Sequence, residues 1–245
     1  RNDGDVDQTW TLEQIAKTRA PLGWKELFEQ IQNDIAHIGR KLDERGPYFP
    51  LKKDIFNAYH WTPLDLVKVV IIGQDPYPTV INGVPQAMGA SFSTRRDAPL
   101  QGSTRNIYQV LQNTVPGFEP PRNERGDVHG DLFGWARQGV LLLNACLHIE
   151  QGVSEVSKVE RFLWNGVISR TLKAIQERRP YTVVMLWGKR AEDGMRPFLG
   201  RLKSWLTSHP SPRSAMFGFL ECNHFNEANE HLISKGIKPI DWCKL

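Results

Sequence analysis

The stretch at residues 67–78, VKVVIIGQDPYP, limits what this chain can fold into more than any other. Five of the six residues from Val67 to Ile72 are β-branched and apolar, the pattern of a short strand buried on both faces in a parallel sheet. Gly73 breaks the run, and Gln74-Asp75-Pro76-Tyr77-Pro78 follows at the carboxyl end of the strand. In open α/β sheets ligands bind along that edge. The two prolines fix φ and make the loop rigid, so an acid, an amide and a phenol are held in place. A polar strand-to-helix turn capped by Asp75 is the plainer reading, and on this stretch alone both stand.

The rest of the chain repeats the arrangement. Residues 24–42 carry Leu27, Phe28, Ile31, Ile35, Ile38 and Leu42 at helical spacing, which predicts one long amphipathic helix over the sheet. A turn at Gly46-Pro47 and a short helix at 52–59 lead to the first strand. Residues 79–88 read as irregular, and Gly89-Ala90-Ser91-Phe92-Ser93 places an aromatic among small residues, as core or as a platform for a flat ligand. Ser103 reads as the N-cap of a helix to Asn113, and residues 131–138 read as helical. A second strand, Val140 to Leu143, ends at Asn144; a helix at 159–176 precedes a third strand at 181–186, closed by Trp187-Gly188. A fourth, at 204–207, leads into Ser208-His209-Pro210-Ser211-Pro212-Arg213-Ser214, and a last helix at 223–235 stops at Gly236.

Strands alternating with helices predict an α/β fold of three layers: a central, mainly parallel four-stranded sheet with helices on both faces. All strand ends then meet at one rim, bringing together Asp75, Tyr77, Asn144 and His209, with Phe92 nearby. Each has a structural reading by itself; their joint position at corresponding strand ends does not.

Length and composition fit this. The chain has 245 residues with no Gly/Ser/Pro-rich linker, which predicts a polar extension over 1–20, poorly ordered in part, and a single domain over 21–245. A hydrophobic fraction of 40% with no apolar run of transmembrane length predicts a soluble protein. Cys146, Cys222 and Cys243 are scattered and odd in number, which fits a reducing compartment and argues against a cysteine-built zinc or iron–sulfur cluster. Cys222-Asn223-His224 offers two ligands at most, too few for a metal site. The net charge of +4 is compatible with a polyanionic partner without requiring one.

With these motifs in order, the chain resembles the family 1 uracil-DNA glycosylases. The resemblance rests on Gly73-Gln74-Asp75-Pro76-Tyr77, on Gly89 to Ser93 and on Gly130-Asp131-Leu132-Phe133-Gly134-Trp135-Ala136 running on to Asn144-Ala145. Met185-Leu186-Trp187-Gly188 and His209 to Ser214 complete it, and the likeness spans the chain from Trp24 onward. It implies a monofunctional enzyme that flips uracil out of DNA and hydrolyses its N-glycosidic bond, without metal or cofactor. Asp75 and His209 are then catalytic; Gln74, Tyr77, Phe92 and Asn144 bind uracil; Ser103, Lys189, Ser211, Arg213 and Ser214 contact DNA. Implied partners are single- or double-stranded uracil-containing DNA, free uracil as product and a DNA-mimicking protein inhibitor. A monomer in nucleus or cytoplasm follows, viral and bacterial sources included.

Three departures stand out. Pro78 and a lengthened loop replace the family's usual histidine, Lys189 stands where serine is common, and Arg213 where leucine usually fills the gap left by the flipped base. A non-catalytic replication accessory subunit on the same fold is the alternative, and Asp75, Asn144 and His209 argue against it. A glycosylase of relaxed specificity is disfavoured by Tyr77 and Asn144, and a cluster-containing one by the three scattered cysteines.

Overall fold

The computed structural model describes residues 9–245. Four parallel strands form the central sheet in the order Val140–Asn144, Val69–Gly73, Val183–Trp187, Lys203–Thr207. The first three of these are buried along their whole length, as expected of apolar runs in a sheet covered on both sides. The fourth is an edge strand of mixed polar and apolar residues, none of them fully buried.

Strand alternation divides the core in two. Val70, Ile72, Leu141, Leu143, Val184 and Leu186 face one layer, which contains the helices Leu12–Thr18, Gln32–Arg45 and Lys158–Arg178. Val69, Ile71, Val140, Leu142, Val183 and Met185 face the other, with Gly102–Thr114, Phe133–Ala136 and His224–Ser234. This is the three-layer architecture that the alternating pattern predicts.

Several boundaries differ from the sequence reading. The single helix expected over 24–42 is two, Lys25–Gln30 and Gln32–Arg45, separated at Ile31, and the second packs on Leu12–Thr18 and Lys158–Arg178 rather than directly on the sheet. Leu12, Ile15 and Ala16 are buried, so the packed chain starts within the expected extension; residues 1–8 of that extension lie outside the described residues. The stretch read as irregular holds a hairpin, Val80–Ile81 against Val84–Pro85. Asn82 and Gly83 form its tip with φ of 50° and 76°, the left-handed pair that a tight two-residue hairpin needs. The helix expected over 131–138 shortens to Phe133–Ala136, because the Asp131 carboxylate accepts the Phe133 amide at 3.1 Å and an Arg96 bond at 2.9 Å. Ser103 is not the cap: it lies inside the first turn of Gly102–Thr114, behind Gln101.

Candidate active site

Because all four strands run the same way, Gly73, Asn144, Trp187 and Thr207 end at one rim, and the segments after Gly73, Asn144 and Thr207 border a cavity of about 240 Å³. Asp75, Tyr77, Phe92, Ser103, Asn144, His209 and Ser211 line it, joined by Met88, Ala90 and Ser154. Its size suits one small ring rather than a drug-sized ligand.

The floor is set by close approach. A Cβ on Gly73 would stand 2.5 Å from Asn144 Oδ1 and 3.2 Å from the Phe92 ring, so only glycine lets that amide and ring share the space. Phe92 has φ of 61°, a left-handed backbone that costs a non-glycine residue about 1–3 kcal/mol. Flanking bonds hold it there: the Ser91 amide donates to Leu142 O at 3.0 Å, and Thr104 Oγ1 donates to Phe92 O at 2.9 Å. Thr104 has then spent its hydrogen, so Tyr77 donates its hydroxyl to Thr104 Oγ1 at 3.2 Å. Burial pushes the Tyr77 phenol up to about 12, so it stays a neutral donor. The adjoining wall is tied to the helix Asn57–Trp61, with the Asn57 side chain donating to Met88 O at 2.8 Å.

Asp75 is largely buried, and desolvation raises its pKa above the ordinary carboxylate value. Opposing this, Gln74 Nε2 donates to its Oδ2 at 3.2 Å, the Val156 amide donates at 3.3 Å, and Arg161 and Arg190 supply positive charge. His209 takes the opposite shift, since burial lowers its pKa to about 4 and keeps the ring neutral at pH 7. Its Nδ1 accepts the Ser211 amide at 3.0 Å, which leaves the proton on Nε2. Its ring meets Phe92 at 5.7 Å between centroids.

The other sequence candidates are placed differently. Gln74 does not line the cavity; its amide is used on Asp75. Ser214 stands behind Ser211, accepting its hydroxyl bond at 3.2 Å. Lys189 and Arg213 lie outside the lining and are exposed, and Lys189 pairs with Asp193 of its own helix at 2.7 Å. Val156 and Ser154 belong to the site and were not foreseen, because a backbone amide 81 positions from Asp75 leaves no pattern in sequence. Among the described residues no group of three or more His, Cys, Asp or Glu is arranged to hold a metal, and no helix is long and apolar enough to cross a membrane.

Comparison with known proteins gives this geometry its family. A family model described as the uracil DNA glycosylase superfamily matches residues 60–233. The chain belongs to that superfamily. A uracil-DNA glycosylase of Pectobacterium carotovorum is 42% identical over 228 residues, covering 90% of this chain and 95% of that protein. One from Yersinia enterocolitica is 38% identical over 235 residues, covering 91% and 96%. Among solved structures, the mimivirus uracil-DNA glycosylase superposes with a TM-score of 0.78 at 26% identity, covering 96% of this chain and 90% of its own. A Y322L variant of the mimivirus enzyme, solved in complex with UGI, gives 0.77. The matched residues of this glycosylase-family chain include Asp75, Tyr77, Phe92, Asn144 and His209.

Proposed function

We propose that this chain removes uracil from DNA by hydrolysing its N-glycosidic bond, releasing free uracil and leaving an abasic site. The observation that carries this is His209 held neutral, with its proton on Nε2, in the same cavity as the partly buried Asp75. A binding module needs neither feature.

The chemistry follows from the cavity. Uracil must leave the stack to be reached, at a cost of a few kcal/mol. Phe92 stacks on the extruded ring, and the Asn144 amide, one acceptor and one donor, matches uracil N3–H and O4 while mismatching cytosine. Tyr77, held by Thr104, stands where a thymine methyl would clash. As the bond breaks, positive charge grows on the sugar and negative charge on uracil. The Asp75 carboxylate stabilises the first and orients the attacking water; Nε2–H of His209 donates to O2 and stabilises the second. A neutral donor suits this role, because its bond strengthens as the charge develops instead of binding the ground state equally.

Ser103 and Ser211 of the lining, with Ser214 behind Ser211, meet DNA phosphates, and the exposed Arg213 meets the duplex outside the lining; Lys189 would exchange Asp193 for a phosphate. Single- and double-stranded uracil-containing DNA are the substrates, and a protein inhibitor such as the one bound to the mimivirus enzyme would cover the same rim. We read the chain as one intracellular, monomeric glycosylase domain acting without cofactor.

The test is an alkali-cleavage assay on oligonucleotides carrying one uracil, single-stranded or paired with A or G. Wild type should break them at uracil, and Asp75→Asn should lose about 10²–10³ in rate. A folded, DNA-binding wild type that leaves every strand intact would refute this reading in favour of an accessory subunit.

A further inference from the structure

The helix Lys158–Arg178 begins against the catalytic carboxylate, and its first turn holds more than its own end. Ser157 and Glu160 form a capping box: Ser157 Oγ accepts the Glu160 amide at 3.2 Å, and the Glu160 carboxylate accepts the Ser157 amide at 2.8 Å. Such a box fixes the entry angle and sets the residue before the cap beside the fourth helical residue, a pair that is commonly apolar on both sides. Here the pair is Val156, 2% exposed, and Arg161. Arg161 donates Nη1 to the Val156 carbonyl at 2.6 Å. Val156 donates its own amide to Asp75 Oδ2 at 3.3 Å.

We propose that Arg161 is a positioning residue for Asp75: its guanidinium fixes the Val156 main chain, and Val156 fixes the carboxylate. The proposal rests on the glycosylase reading of the cavity. Gln74 is adjacent to Asp75 and moves with the loop, whereas Val156 belongs to a different element and supplies an external reference for the carboxylate plane. Residues 154 and 155 before it are exposed, and the segment is held by the buried Val156 side chain, the Arg190–Glu155 pair and the Arg161 bond, of which the last acts directly on the Val156 main chain. Small displacements of a reacting group are costly, which gives the tie catalytic weight.

Charge adds to geometry. The titratable groups near Asp75 are Arg161, Arg190 with its partner Glu155, the Cys146 thiol, on which Glu160 also acts, and Tyr77 and His209 in the same cavity lining. Arg190 pairs with Glu155, while Arg161 directs its bond at a neutral carbonyl, so its charge remains available to hold the acid ionised.

Two variants test this. Arg161→Met removes bond and charge; Arg161→Lys keeps the charge and a hydrogen-bond donor. On a single-stranded uracil oligonucleotide, Met should lower kcat about tenfold with KM unchanged and move the acid limb of kcat to higher pH. Lys should recover most of the rate and return the limb. In parallel, the Asp75 carboxyl is titrated by NMR in the free, carbon-labelled protein, where Met should raise its pKa and Lys restore it. A Met variant with wild-type kcat and an unmoved Asp75 titration overturns the proposal, as does a rate loss with the titration unchanged. If the titration moves while wild type fails to cleave, the positioning stands and the glycosylase reading falls.

Discussion

Asp75 and His209 line one pocket, and burial shifts their pKa values in opposite senses. Desolvation favours the neutral form of both. In the proposed reaction that works against Asp75, which acts charged, and for His209, which acts neutral. The donors are distributed accordingly: Asp75 has Gln74, Val156 and two nearby arginines, while His209 has one backbone amide and aromatic surroundings. Polar machinery is concentrated where solvation loss opposes the chemistry and omitted where it helps.

The strongest test of this contrast is His209→Leu, which deletes the donor without disturbing Asp75 and should lower kcat about 10²–10³-fold, with KM little changed. A loss confined to KM would mean that the histidine only binds.

Stability gives a second contrast, of opposite sign at the two residues. The raised pKa of Asp75 means its burial costs stability once it ionises, so Asp75→Asn should melt higher than wild type at neutral pH while being inactive. The His209 pKa is lowered to about 4 from 6.5, so its contribution is intact above pH 6.5 and is lost as pH falls towards 4. His60, His148 and His224, each also lowered to about 4 by burial, act in the same direction. Urea midpoints should therefore fall steeply across that window, and less steeply in His209→Leu. Equal steepness would show that the ring is not buried neutral.

The smallest effect is expected at Arg213, outside the pocket. Arg213→Leu should leave single-strand cleavage near wild type while altering duplex binding, reducing its salt slope by about 1. Equal effects on both substrates would remove the distinction between pocket and rim.

Much of this was legible in the sequence where the physics is local. The apolar runs ending at Gly73 and Asn144 predict strands buried on both faces, and strand direction alone then gathers Asp75, Asn144 and His209 at one rim. The hairpin has a local signal too, since Asn82-Gly83 between Val80-Ile81 and Val84-Pro85 is a strong turn pair. Leu12, Ile15 and Ala16, spaced for one helical face, were hidden by their polar neighbours. The break at Ile31 was not legible, because apolar spacing continues through it. Nor was the link from Arg161 through Val156 to Asp75, which exists only once distant elements pack.

Phe92 carries a further consequence, for how such a pocket can diversify. Tyr77 and Asn144 sit on ordinary backbone, so substitutions there meet no left-handed constraint on the main chain. Phe92 is held left-handed at φ of 61°, where β-branched replacements are excluded and glycine would surrender the ring. On the proposed reading, descendants of this chain can therefore revise which base they read far more readily than the surface on which they read it.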